Sequence, residues 1–151
     1  MRAVVQRVSS SRVLVDDQVI GAIGSGLLVF IGVETGDTEA DVEHVAAKIV
    51  ELRMFEAEGD ARRLARSVLD IGGAVLLVPQ FTICGDCRRG RRPSFDRAAA
   101  PDVAAGLFER LVHRIAARGV RVESGRFQAT MKVELVNEGP VTLLLDSRKT
   151  F

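Results

Sequence analysis

Ala74-Val75-Leu76-Leu77-Val78-Pro79-Gln80-Phe81-Thr82-Ile83 is the stretch that decides the fold. Its first five residues are apolar without alternation, which predicts a strand buried on both faces. Leu27-Leu28-Val29-Phe30-Ile31-Gly32-Val33 reads the same way. Between the two, Val42, Val45, Ala46, Ile49 and Leu52 recur at helical spacing, so residues 38–53 are expected to form an amphipathic helix capped by Asp37 or Thr38. Beyond them, Val103, Leu107, Leu111 and Ile115 mark a second helix over 101–118, with Pro101 in its first turn and Gly119 as its C-terminal cap.

The rest of the chain reads as shorter elements. Strands are expected at 2–8, 11–15 and 18–23, with a hairpin turn at Asp16-Asp17-Gln18. Further strands are expected at 120–124, 130–136 and 141–146, the last two joined by a Gly139-Pro140 turn. Residues 54–73 are broken by Gly59-Asp60 and Gly72-Gly73, and 84–97 reads as a polar loop rich in Gly and Arg. Two long helices and about seven strands predict a mixed α/β fold with helices covering a sheet, not a helical bundle.

The 151 residues fit one domain with a core large enough to need neither metal nor disulfide. No apolar run approaches the ~20 residues that span a bilayer, and no signal peptide is visible, so a cytoplasmic protein is expected. A net charge of +1 creates no global field for nucleic acid. Locally, Arg88, Arg89, Arg91 and Arg92 crowd around Gly90, and such a cluster repels itself unless an anion is near. Phosphate binding is the expectation for that loop. Tyr and Trp are absent, which argues against stacking-based reading of splayed bases.

Few side chains suggest catalysis. His44 and His113 fall on the two helices without partners at a catalytic spacing, and both read as surface or packing residues. Cys84-Gly85-Asp86-Cys87 enters a loop rather than a helix, and no second pair completes a zinc site, so two free thiols are expected. Glu39, Asp41, Glu43 and Glu51 belong to the polar face of the first helix. No cofactor-binding glycine loop is present. What remains is the break at Pro79, after which the amides of Phe81 and Thr82 could point at a ligand and stabilise an oxyanion; an irregular strand end is the simpler reading of that segment alone.

Several segments in order carry a more specific signal: Gln6-Arg7-Val8, Gly21-Ala22-Ile23-Gly24, Pro79-Gln80-Phe81-Thr82, Gly90-Arg91-Arg92-Pro93-Ser94-Phe95, Gly125-Arg126-Phe127 and Asn137-Glu138-Gly139-Pro140-Val141-Thr142. Together they resemble the D-aminoacyl-tRNA deacylases from Met1 to Asp146, leaving 147–151 as a tail. The resemblance implies a layered β/β/α fold and a homodimer with active sites at the subunit interface. It places Gln80, Phe81 and Thr82 as the catalytic segment, the Phe81 amide serving as oxyanion donor and Thr82 taking an orienting role. Gly139 and Pro140, joined by a cis peptide, would enter from the partner and offer carbonyls to the substrate ammonium, with Arg7 holding their turn and Gln6 and Pro79 on the substrate-binding side. The implied reaction is cleavage of the ester of D-aminoacyl-tRNA, and of glycine mischarged on alanine tRNA, with the substrate's 2′-hydroxyl taking part.

Two departures bear on substrate. Pro79 replaces the usual Ser and resembles a sister branch that removes L-alanine from threonine tRNA, whereas Glu138 replaces that branch's Asn before Gly-Pro and matches the main family. Arg62-Arg63-Leu64 stands where Met-Asn-Leu is usual. An L-alanyl editing enzyme is therefore one alternative. A non-catalytic RNA-binding module, resting on the arginine loop, and a redox protein, resting on Cys84 and Cys87, are the others.

Overall fold

A computed structural model describes all of residues 1–151. In chain order the elements are β1 (Arg2–Val15), β2 (Gln18–Ile23), β3 (Gly26–Gly32), α1 (Glu39–Glu51), β4 (Phe55–Ala57), β5 (Asp60–Arg66), β6 (Ala74–Pro79), α2 (Pro101–Ala117), β7 (Arg121–Ser124) and β8 (Lys132–Asp146). A 3-10 helix, Phe81–Cys84, follows β6. The fold is thus mixed α/β with eight strands and two long helices.

Strand β1 organises the main sheet. Its first half pairs antiparallel with β3 and its second half with β2, while β8 runs antiparallel to nearly its whole length. β6 lies parallel to β3, and β7 parallel to β6. The two apolar runs are central because both of their faces are covered. Leu27, Val29, Ile31, Val75 and Leu77 point into the larger core with Val42, Val45, Ile49, Leu107, Leu111 and Ile115 of the helices. Leu28, Leu76 and Val78 point the other way, against Val8, Val13 and Ile23. Three layers result: helices, central strands, and the far half of β1 with β2 and the start of β8. Each fully buried Leu or Ile contributes about 1.5–3 kcal/mol, so the missing alternation is what stabilises the middle layer.

The helices run within two residues of their expected limits. The Asp41 carboxylate accepts from the Thr38 amide at 2.8 Å at the start of α1, and Pro101 opens α2. Glu39, Glu43 and Glu51 form ion pairs with Arg110, Arg114 and Arg118 across the two helices. These carboxylates therefore tie α1 to α2.

Three expectations are corrected, and one segment left open by the sequence is filled. Residues 2–15 form one strand, because β8 pairs along them while the opposite edge changes partner from β3 to β2. The strand expected over 74–83 stops at Pro79, where the chain coils into the 3-10 helix. Residues 54–73 contain the β4–β5 hairpin, too short and too polar to show a period. Gly139-Pro140 is not a turn between two strands. Asn137 pairs with Val8 and Thr142 with Gln6, so both halves of β8 run along the same partner and 138–141 bulge out opposite Arg7.

The tail folds back on the domain. Ser147 accepts a hydrogen bond from the Met1 ammonium at 2.7 Å, and Arg148 donates to the Thr35 carbonyl and to Asp37.

Candidate active site

The break after β6 has a structural cause on each side. Gln80 makes the last ladder bond, its amide donating to the Ile31 carbonyl at 2.7 Å. Successive amides alternate in direction, so the nitrogen of Pro79 faces the other edge. There β7 has already ended: its pairing stops at Leu77–Ser124, and the Gly125 amide donates to Leu77 at 2.8 Å. Proline at 79 therefore forfeits no ladder bond. Gly32 lets the 3-10 helix settle onto β3, since a Cβ there would lie 2.6 Å from Ile83 Cγ1 and 2.7 Å from Cys84 Sγ.

The first amides of any helix have no acceptor inside it. Here they belong to Phe81 and Thr82, while the Ile83 amide reaches back to Gln80 and the Gly85 amide to Thr82. These two residues, with Pro79 and Gln80, form one wall of a cavity of about 380 Å³ closed by Ala98–Pro101, Phe108 and Phe127 to Met131. No ionisable side chain lines it. Gln80 Nε2 donates to Thr82 Oγ1 at 3.0 Å, which fixes both polar side chains at the rim. Phe81 is 59 % exposed and packs edge-on against Phe95 with ring centroids 5.1 Å apart. An apolar chamber with two unpartnered amides on its wall can bind a neutral carbonyl and stabilise negative charge on its oxygen. It offers no side-chain acid or base.

Gln6, Arg7, Gly139 and Pro140 gather elsewhere and do not line that cavity. Arg7 is only 6 % exposed. Its Nε donates to the Glu138 carbonyl at 3.1 Å, one Nη to the Met54 carbonyl at 3.0 Å, and the other Nη lies 3.6 Å from Glu56. The bulge is thereby clamped to the start of the β4 hairpin. Gln6 donates to the Thr142 hydroxyl at 3.2 Å. Asn137 closes the base of the bulge, its amide donating to the carbonyls of Arg7 and Val141 at 2.9 and 3.1 Å. The Gly139–Pro140 peptide is cis, Gly139 sits at φ +117°, and both residues are exposed.

The arginine loop forms a third group. The Asp86 and Ser94 backbones bridge at 2.7 and 3.0 Å, closing a loop with Gly90 at its tip. Arg88, Arg89 and Arg92 border a polar cavity there; Arg91 does not.

Cys84 is buried, Cys87 exposed, and no disulfide joins them. Burial, followed by the nearby Glu34 carboxylate, pushes the Cys84 thiol up to about 11. A raised thiol stays protonated below that pH and is a poor nucleophile. Iodoacetamide at pH 8 is expected to label Cys87 alone, with Cys84 reacting only after denaturation, as peptide mass spectrometry would read. Labelling of both in the folded protein would reopen the redox reading. His44 and His113 line neither cavity.

Comparison with known proteins adds to this geometry. The family model described as D-Tyr-tRNA(Tyr) deacylase matches residues 4–146. The chain belongs to this family. Relatives named D-aminoacyl-tRNA deacylase include those of Thermotoga petrophila, 56 % identical over 151 residues, and Clostridioides difficile, 54 % identical over 151 residues, each covering 100 % of both chains. Among solved structures, one described as c-Myc DNA Unwinding Element Binding Protein has a TM-score of 0.90 and 36 % identity, covering 97 % of this chain and 98 % of its own. Another, a probable eukaryotic D-amino acid tRNA deacylase, has a TM-score of 0.79 at 22 % identity, covering 95 % and 97 %, and shows likeness of fold alone.

Within the deacylase family frame, the structure brings Pro79, Gln80, Phe81 and Thr82 together, and separately Gln6, Arg7, Gly139 and Pro140. Sequence reasoning had no role for Asn137, although Asn before a bulging Gly-Pro is a common backbone-bonding signal. It also missed Phe108 and the Ala98–Pro101 wall, which come from the far end of a loop and a helix start.

Proposed function

We propose that this chain hydrolyses the ester joining a D-amino acid, or glycine, to the terminal ribose of tRNA, using backbone amides in place of catalytic side chains. The observation that carries the reading is the cavity wall, where Phe81 and Thr82, the residues whose amides have no acceptor within the 3-10 helix, line a chamber without an ionisable group. Water adds to the ester carbonyl, and the Phe81 amide, supported by that of Thr82, holds the oxygen that becomes anionic. Collapse of the tetrahedral centre expels the ribose oxygen, which takes up a proton. The adjacent 2′-hydroxyl of the substrate is the group placed to relay it, which suits a site that has no base of its own. Gln80 and Thr82 brace each other and orient the rim.

An α-ammonium has no anionic ligand among the side chains of the cavity. We assign that role to Gly139 and Pro140 of a second copy. Their bulge projects from β8, an outer strand on which Val136, Leu143 and Leu144 are exposed, a surface suited to a homodimer. Carbonyls set around the ammonium leave room for the hydrogen or side chain of glycine and D-residues and crowd an L side chain. Chirality is then selected by exclusion. No helix is long and apolar enough to cross a membrane, and the proposed setting is the cytoplasm.

The test is deacylation of matched D- and L-aminoacyl-tRNAs with glycyl-tRNA included. Loss of D-residues and glycine with L-residues spared is the expected result. Faster loss of L-alanine would move the chain to the sister branch that Pro79 resembles. Hydrolysis of none, with tRNA still bound, would leave an RNA-binding module.

A further inference from the structure

The four arginines of the 86–94 loop are not equivalent. Asp86 accepts four hydrogen bonds from Arg88: at Oδ1 from the amide at 3.0 Å and from Nε at 2.9 Å, and at Oδ2 from Nε at 3.0 Å and from the guanidinium Nη. Hydrogen bonds from the Arg88 side chain and then its amide hold the Asp86 carboxyl well below the usual carboxylate range, so the pair stays ionised. Arg88 is thereby an internal strut of the loop. Arg89 and Arg92 form no ion pair and border a wholly polar cavity of about 590 Å³ with Ser94 and Asp96. Asp96 accepts the Ser94 hydroxyl at 2.7 Å. With three guanidinium groups against two carboxylates, the cavity carries one excess positive charge, and the free guanidinium groups are those of Arg89 and Arg92. Arg91 lies outside it.

The loop that carries this polar cavity packs against the wall of the apolar one. The loop starts directly after the 3-10 helix, and Phe95, the residue after Ser94, is the ring packed on Phe81. We propose that Arg89 and Arg92 bind a backbone phosphate of the single-stranded RNA end that carries the ester. The inference rests on the function proposed above, in which the ester occupies the apolar cavity. The nearest anion of such a substrate is the phosphodiester one nucleotide inward, and planar guanidinium donors match its oxygens. The contact positions the RNA end and reads no sequence.

The experiment compares Arg89→Ala/Arg92→Ala with Arg63→Ala/Arg91→Ala, which removes the same formal charge at two exposed arginines outside the cavity. Two substrates are used, D-aminoacyl-tRNA and the D-aminoacyl ester of adenosine, which has no phosphate. For Arg89→Ala/Arg92→Ala, KM for the tRNA is expected to rise on the order of tenfold with kcat unchanged, and kinetics on the adenosine ester to stay as in the wild type. The dependence of log KM on log salt should flatten by about 0.7, the value for loss of one single-strand phosphate contact. The Arg63/Arg91 variant should show a much smaller rise. Equal rises in both variants, an equal loss on the adenosine ester, or no change would each overturn the assignment. Binding of a short single-stranded RNA with a free 3′-hydroxyl, read by fluorescence anisotropy, needs no hydrolysis. Weakening confined to the Arg89/Arg92 variant supports the phosphate site even if the wild type proves inactive, an outcome that would sink the hydrolase reading alone.

Discussion

Gly139→Ala is expected to lower kcat/KM for D-aminoacyl-tRNA on the order of a hundredfold while the chain remains folded. A Cβ at 139 would lie 2.5 Å from an Nη of Arg7 and 2.9 Å from Val141 Cγ2, so the guanidinium must shift. That guanidinium also holds the Glu138 and Met54 carbonyls, so moving it displaces the whole bulge. An alanine at φ +117° adds strain of about 1–3 kcal/mol. At roughly 2–4 °C per kcal/mol for a domain of this size, the melting temperature should fall by a few degrees to about ten. Glu138→Ala is the companion variant. Arg7 binds the backbone carbonyl of Glu138 and not its side chain, so activity there should stay close to that of the wild type. Unchanged kcat/KM in Gly139→Ala would remove the bulge from the account of substrate selection.

The central layer and both helices were legible in the sequence because burial on two faces and a 3.6-residue period leave direct marks. Leu27 to Ile31 and Ala74 to Val78 had only one sensible environment, and Val42, Val45 and Ile49 only one face to bury. The β4–β5 hairpin was not legible. Asp60 to Arg66 is mostly exposed, so no pattern of burial is imprinted on it. Nor was the form of the Gly139-Pro140 segment. Gly-Pro between two apolar runs reads as a reversal, and only pairing with the shared partner β1 reveals a bulge. The 3-10 helix escaped for a similar reason. Phe81, Thr82 and Ile83 are strand-formers by propensity, and the coil is set by Gly32 and the end of β7, which are distant in sequence.

The candidate site was legible in a different way. Its residues carry almost no reactive side chains, so residue chemistry alone gave only an irregular strand end, and the resemblance supplied the rest. Arg7 shows the limit of residue chemistry alone. An arginine on a strand of apolar alternation looks like a surface cation, yet it is buried, donates to the backbone carbonyls of Glu138 and Met54, and pairs with the Glu56 carboxylate. The cause is its register opposite four residues of β8, where regular pairing would place one.

The claim that backbone amides supply catalysis has a direct test at position 81, with a second large expected effect. Phe81→Ala removes the ring and keeps the N–H; Phe81→Pro removes both. Proline suits the first residue of a helix, where the N–H has no internal acceptor. Gln80, at φ −147° and ψ 89°, already lies outside the α region that a following proline disfavours. Both variants should therefore fold, as circular dichroism and melting temperature would check. The measurement is the ratio of kcat for Phe81→Ala to kcat for Phe81→Pro on one D-aminoacyl-tRNA. A ratio of about 10²–10³ is predicted, the loss that accompanies removal of one oxyanion donor. A ratio near one, with both proteins folded, would contradict the account.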